Sequence, residues 1–185
     1  RMTGADLVAL QSNDNEWYAR HARRLLQERG PDPAAAAALQ RMMDRKDSEP
    51  RRLRALWTLH AIDGLGASLE TLLRDPQEYV QAWTIQFLLE KKELSASVRS
   101  ELERLAQTSP SPVVRLYISS ALQRMPVASR WEIAERLLAH GEDESDPNLP
   151  KMDWFGVEPL VAADPDRALA LIGSSRIEKV SRFLA

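Results

Sequence analysis

At four places along the chain, a residue that can cap a helix stands directly before a proline. The pairs are Asp32-Pro33, Asp75-Pro76, Ser111-Pro112 and Asp164-Pro165. An Asp or Ser side chain accepts hydrogen bonds from the free backbone N–H groups at a helix start. Proline fits the first helical position because its missing N–H is not needed there. Each pair therefore predicts the beginning of an α-helix.

Apolar residues follow these starts at helical spacing, and no stretch alternates apolar and polar residues as an amphipathic strand does. After Pro112 they recur at Val114, Tyr117, Ile118 and Ala121. The segment after residue 76 is apolar on nearly every side, which indicates a helix with several neighbours. Gly is scarce, with 7 residues in 185. We therefore expect an all-α fold.

Core positions can also be predicted from this spacing. A helix from about residue 15 to residue 29 is expected to turn Tyr18, Ala22, Leu25 and Leu26 inward. Trp17, Trp57 and Trp83 lie at helical spacing and are expected to pack in the core. A short helix is expected around residues 69–73, and two or three short helices after a loop near the C-terminal end.

Four segments resemble one another when they are overlaid. Each starts with an apolar residue, continues with Arg or Gln and then presents an aliphatic or aromatic face; they cover residues 19–26, 53–60, 80–87 and 114–121. A repeated helical pair that cannot bury its own apolar face stacks on its neighbours. The pattern predicts a right-handed α-α superhelix of stacked antiparallel helical pairs.

Charge and composition exclude several classes of function. The net charge is −2, whereas nucleic-acid binding usually needs a basic surface. Residues 20–54 are locally basic, with ten Arg or Lys and five Asp or Glu. The absence of Cys excludes disulfides, zinc–thiolate sites, cysteine nucleophiles and covalent haem attachment within these residues. No apolar run reaches the roughly 18 residues that a membrane span requires.

The repeated segments resemble HEAT repeats, in which a capped turn leads into Val-Arg and then an apolar helix. Ser111-Pro112-Val113-Val114-Arg115 is the best match, and Asp75-Pro76 followed by Val80-Gln81 is the next. The resemblance covers about residues 13–140. It implies that Arg54 and Arg115, at the matching arginine positions, contact Asp residues of neighbouring repeats, while Gln81 departs from the pattern.

A second resemblance covers most of the chain. The segments that carry it are Asn15-Glu16-Trp17-Tyr18-Ala19-Arg20, residues 53–60, Asp146-Pro147-Asn148-Leu149-Pro150 and Trp154-Phe155-Gly156-Val157-Glu158-Pro159-Leu160. They resemble the helical middle section of large exported proteins of planctomycete-type bacteria, which combine a dehydrogenase-like β-propeller, HEAT repeats and a cytochrome c-like haem domain. The resemblance implies a periplasmic or exported parent protein whose haem and redox chemistry lie outside this segment, with no cofactor inside it.

The chain is expected to comprise HEAT-like repeats over residues 1–140, an acidic loop over residues 141–153 and C-terminal helices over residues 154–185. It begins with Arg1 rather than Met and ends on an apolar helical face. We therefore expect a single structural domain that is a segment of a longer protein.

The acidic loop is the most unusual stretch. Its candidate groups are His140, Glu142, Asp143, Asp146 and Asn148. Clustered carboxylates can hold a hard cation such as calcium, but the glycine and distal Glu of an EF-hand are missing. Caps and turns between the repeats and the C-terminal helices are the favoured role. Contact with a neighbouring domain and acid–base catalysis with His140 stay open.

The sequence thus favours a non-enzymatic scaffold that binds a protein partner or other domains of the same polypeptide. No metal site and no catalytic residue is assigned. The alternative is a nucleic-acid-binding module that uses the basic region Arg20–Arg54. The candidate interaction surface comprises His140, Glu142, Asp143, Asp146, Asn148, Trp154, Arg51 and Arg52.

Overall fold

A computed structural model describes residues 2–90 and 94–184, with the side chains of residues 67, 68 and 184 left out. Within these residues the chain is helical throughout and forms no strand, so the all-α prediction is confirmed. The chain divides into two compact units, Arg1–Val80 (unit 1) and Gln81–Ala185 (unit 2).

The predicted capping residues stand at helix starts. Asp32, Ser111 and Asp164 each accept hydrogen bonds from backbone N–H groups of the turn that follows. Asp75 accepts one from the N–H of Gln77 at 3.0 Å. The bonds to Asp32, Ser111 and Asp164 satisfy donors that have no partner within their own helix. The capping pattern therefore placed three helix starts correctly, whereas the helix predicted to begin at Pro76 begins two residues later, at Glu78.

Unit 1 contains two stacked helical pairs. Its helices are α1 (Gly4–Ala9), α2 (Glu16–Arg29), α3 (Pro33–Asp44) and α4 (Glu49–Ala61), with 3-10 helices at Leu10–Ser12 and Gly66–Arg74. α1 packs on α2 and α3 packs on α4. In addition, α1 packs on α3 and α2 packs on α4. Each helix therefore contacts both its partner and the corresponding helix of the neighbouring pair.

Unit 2 repeats this arrangement with three pairs. The division between the units falls within α5 (Glu78–Leu88). The helices that follow are α6 (Ala96–Thr108), α7 (Pro112–Leu122), α8 (Trp131–Leu138), α9 (Leu149–Ala163), α10 (Pro165–Ser174) and α11 (Glu178–Leu184), with 3-10 helices at Val127–Ser129 and Gly141–Ser145. α6, α8 and α10 pack in succession, and so do α7, α9 and α11.

α7 and α9 approach each other closely at Gly156. A Cβ atom at this position would lie 2.7 Å from Cδ1 of Leu122. Real Cβ atoms do not come so close to a neighbour, so any larger residue would push the two helices apart. Glycine here allows α9 to seat on α7 and bury Val157 and Leu160.

The core positions predicted for α2 were half right. Ala22 and Leu26 are buried as expected, together with Ala19. Tyr18 and Leu25 are instead 46% and 36% exposed, so their predicted inward orientation was wrong. The neighbours of α2 approach the side that carries two alanines, where close contact leaves no room for an aromatic ring.

The short helix expected around residues 69–73 is present as a 3-10 helix over Gly66–Arg74. One other expectation differs from the structure. The acidic loop predicted for residues 141–153 consists of the 3-10 helix Gly141–Ser145, a capped turn and the start of α9. Trp154 and Phe155 lie on α9, within the region predicted to be helical. Pro150 reads as a loop residue in the sequence, but it occupies the first turn of α9, where proline is tolerated.

Candidate functional site

A buried arginine–aspartate pair joins the first two helical pairs of unit 2. Arg115 is the fourth residue of α7, and its Nε and Nη2 donate to the two carboxylate oxygens of Asp143 at 2.6 and 2.5 Å. Its Nη1 donates to the carbonyl oxygen of Ser109 at the end of α6, at 2.7 Å. The hydrogen bonds that Arg115 donates to Asp143 raise the pKa of Arg115. The pair fixes the 141–145 turn against α6 and α7.

Unit 1 contains the same arrangement. Arg52 is the fourth residue of α4, and its Nη1 and Nη2 donate to Asp75 at 2.8 and 2.5 Å. Its Nε donates to the carbonyl oxygen of Met43, near the end of α3, at 2.7 Å. Burial by itself raises the pKa of Asp75, but the hydrogen bonds from Arg52 and from the N–H of Gln77 outweigh it, and that pKa lies below its ordinary value. We call Arg52–Asp75 and Arg115–Asp143 the two clamps.

The arginine positions given by the HEAT resemblance have different partners. Arg115 contacts an Asp of the next helical pair, as the resemblance implies. Arg54 instead donates to the carbonyl oxygens of Gln11 and Asn13 at 3.0 and 2.7 Å and pairs with Glu16, all of the preceding pair.

His140 links α6 to the 141–145 turn. Its Nδ1 lies 2.6 Å from Oε1 of Glu142, and its Nε2 lies 2.8 Å from the carbonyl oxygen of Ala106, in the last turn of α6. A carboxylate and a carbonyl only accept, so both ring nitrogens donate when both bonds are made and the imidazole is then a cation. A cation is favourable at a helix C-terminus. The hydrogen bond from His140 also lowers the pKa of Glu142.

Asp153 is a buried acid that sequence reasoning missed. It lies on α9 with 1% of its surface exposed, and burial raises its pKa to about 7. Ser119 on α7 partly opposes this shift, while the negative charge of Asp143 adds to it. Among the described residues, no hydrogen bond of acceptable geometry reaches Oδ1 of Asp153 or Oγ of Ser119. The sequence predicted a loop over residues 141–153, so it gave no indication that Asp153 would be buried.

Another acid of this segment, Asp146, caps the start of α9. Oδ1 of Asp146 accepts from the N–H groups of Asn148 and Leu149 at 2.7 and 2.8 Å, which is the capping role predicted for this stretch. Asn148 makes no side-chain cap bond. The ring of Trp154 lies 5.8 Å from that of Phe183.

The structure brings together only part of the predicted interaction surface. His140, Glu142 and Asp143 lie side by side in unit 2, whereas Arg51 and Arg52 belong to unit 1. Arg51 is exposed, but Arg52 and Asp143 are 2% and 4% exposed. The prediction that Arg52 and Asp143 lie on the surface was wrong, because each is buried in a clamp with a partner of opposite charge.

Two grooves lie beside α8. One, of about 440 Å³, is lined by Gln107, Glu132, Glu135, Arg136, Ala139 and His140. The other, of about 340 Å³, is lined by Trp131, Glu135, Arg167, Ala170, Leu171 and Ser174. In the second groove the guanidinium of Arg167 lies 4.5 Å from the ring centre of Trp131 and also pairs with Glu132. Neither groove is lined by Glu142, Asp143 or Asp146, the acids that the sequence suggested for catalysis with His140.

An exposed aromatic surface lies on α2, which we call the α2 face and define by Trp17, Tyr18, His21 and Leu25. Trp17 is 57% exposed. Its ring is stacked on that of His21, with centres 4.2 Å apart, and meets that of Tyr18 edge-on at 5.1 Å. Trp17, His21 and Leu25 follow one another at every fourth residue and thus form a line along the helix. The predicted core position of Trp17 was wrong.

The sequence carried a signal for the α2 face. Trp17 and Tyr18 are adjacent, and neighbouring helical residues point about 100° apart, so both rarely enter one core.

Comparison with known proteins gives no assignment: no family model matches the sequence, and no curated protein is significantly similar to it. Over residues 2–90 and 94–184, no helix is long and apolar enough to cross a membrane. In the same residues, no group of three or more His, Asp or Glu side chains is arranged to hold a metal ion.

Proposed function

We propose that this chain is a non-catalytic segment of stacked, HEAT-like helical pairs that binds a protein partner, or another domain of its own polypeptide, through the α2 face. The observation that most supports this proposal is that Trp17, Tyr18 and Leu25 lie together at the surface beside exposed arginines. Trp, Tyr and Arg are the residues that most often dominate the binding energy of protein interfaces.

The order of helix contacts supports a superhelix. In unit 1, α1 packs on α3 and α2 on α4, and in unit 2 the same spacing links α6 to α8, α8 to α10, α7 to α9 and α9 to α11. The clamps occupy the same place in both units, because each begins at the fourth residue of the second helix of a pair. Repeated pairs with equivalent contacts build an elongated curved surface, which is suited to binding another chain.

The nucleic-acid alternative has less support. Within the basic region, Arg20 lies 3.7 Å from Glu16, and Arg24 lies 2.7 Å from Glu28. Arg52 is buried in its clamp. Part of the positive charge of this region is thus paired within the chain, and the chain as a whole has a net charge of −2. Tight binding of an oligonucleotide that weakens steeply with salt would support this alternative over ours.

The exported parent protein remains a prediction from the sequence. On this proposal the segment holds no cofactor and arranges neighbouring domains of a periplasmic chain. The full-length gene product tests it. A leader sequence before this segment and a CxxCH haem motif after it would support the proposed parent, and a full-length sequence without either would refute it.

A photo-crosslinking amino acid at Tyr18 tests the interaction. Tyr79, which is 43% exposed on α5, is the matched control because it is another surface tyrosine. In the native host, we expect a discrete protein adduct from position 18 that disappears with Trp17→Ala, and none from position 79. No adduct at position 18, or the same adduct at both positions, would show that the α2 face is not an interaction surface.

A further inference from the structure

We propose that the α2 face binds an acidic amphipathic helix of its partner; this rests on the proposed function and names the class of partner. The line from Trp17 through His21 to Leu25 covers eight residue steps along α2, or about 12 Å at 1.5 Å per residue. Two turns of an opposing helix cover that length with apolar side chains spaced three or four residues apart.

The charges beside this line determine which charge the partner should carry. Arg20 and Arg24 lie one turn apart next to Trp17, with 76% and 73% of their side chains exposed. Their pairs with Glu16 and Glu28 are exposed to solvent and contribute little to stability. Glu16 also pairs with Arg54, so one carboxylate serves two guanidinium groups.

The helix as a whole has excess positive charge. α2 contains four Arg and two Glu. Arg29, at its end, donates to the neutral carbonyl oxygen of Met2 at 3.0 Å, so this contact leaves its charge unbalanced. A partner with carboxylates along one edge of its apolar stripe would therefore gain charge-assisted hydrogen bonds at Arg20 and Arg24.

The aromatic part of the α2 face is already ordered. The ring of Trp17 is held between contacts with His21 and Tyr18. On the same helix, the guanidinium of Arg23 lies 5.1 Å from the ring centre of Trp57. Side chains that are fixed before binding lose little conformational entropy on binding, which favours their use as anchors.

Selection of displayed random 16-residue peptides on the purified 185-residue chain tests the proposal. We expect the enriched peptides to combine apolar residues at helical spacing with several Asp or Glu. Their affinity should fall at least tenfold with Trp17→Ala and with the pair Arg20→Glu and Arg24→Glu. Arg41→Glu, an exposed arginine on α3, is the control and should leave affinity unchanged. Circular dichroism checks that each variant is folded.

The outcomes separate the two proposals. Peptides that need Trp17 but lack acids, and ignore the charge reversal, would overturn the acidic partner and leave the interaction module standing. Failure to enrich any peptide whose binding depends on Trp17 would overturn the acidic partner; without an adduct at Tyr18, the interaction module would fall too. Binding that depends on Trp17 to a fluorescent oligo-dT strand or to phosphatidylserine vesicles, but not to acidic peptides, would assign the surface to nucleic acid or to membrane instead.

Discussion

The buried carboxyl of Asp153 makes the stability of the protein depend on pH in an unusual direction. Its pKa is raised from 3.8 to about 7 in the folded chain. The folded state therefore holds this proton more tightly than the unfolded state. The stability that the neutral acid provides is fully present below about pH 4, decreases as pH rises and is lost above about pH 7.

The size of the effect follows from the shift. At about 1.4 kcal/mol per pKa unit, a shift of roughly three units corresponds to about 4 kcal/mol in total. Between about pH 5 and pH 8, where part of the loss has already occurred, about 3 kcal/mol remains. Asp153→Asn keeps the shape of the side chain but cannot ionise. Relative to the unsubstituted chain, the variant should therefore gain about 3 kcal/mol over this range.

Urea unfolding at both pH values, followed by far-UV circular dichroism, measures the difference. Taking the difference between the two proteins cancels carboxylates that titrate alike in both, such as Asp75 and Glu142. Asp166→Asn, an exposed aspartate on α10, is the control and should show the same difference at both pH values. If Asp153→Asn also gave a constant difference, burial would not be holding the proton on Asp153, and the reasoning would be refuted.

Two further substitutions test the clamps and the approach of α9 to α7. Asp75→Ala leaves Arg52 buried without its carboxylate and should lower the free energy of unfolding by about 3–5 kcal/mol in urea titrations; a loss under about 1 kcal/mol would mean that the pair is solvated. Gly156→Ala places a methyl group against Leu122 and should lower the melting temperature, with overpacking of about 1–3 kcal/mol outweighing the better helix propensity of alanine. Gly173→Ala, with no atom within 4 Å of its Cβ, is the matched helical control and should raise it; a rise in both would contradict the close approach.

Local chemistry in the sequence determined much of the fold. A capping residue and its proline act within one turn, so Asp32, Ser111 and Asp164 located helix starts without any knowledge of tertiary contacts. The side of a helix that faces the core depends on its neighbours. The apolar residues of α2 cover a wide arc rather than one narrow stripe, so spacing alone did not show that Ala22 and Leu26 face inward while Tyr18 and Leu25 face solvent.

The candidate site was harder to predict because its bonds join residues distant in the sequence. Asp143 looked like one acid among several in a polar stretch. Only its position opposite Arg115, 28 residues earlier, makes it part of the interior. The same is true of Arg52, which lies in a basic run and yet is buried. In both cases the residue type predicted a surface, and a distant partner of opposite charge determined the outcome.

The clamps also restrict how the chain can change in length. The carboxylate of Asp143 lies within a 3-10 helix, where one inserted residue rotates everything after it by about 120°. An insertion or deletion at the start of this 3-10 helix would therefore move the carboxylate of Asp143 away from Arg115 and leave the buried guanidinium without its carboxylate partner. Homologous chains of different length in this turn should accordingly have lost both charges together, while loops elsewhere on the surface vary freely.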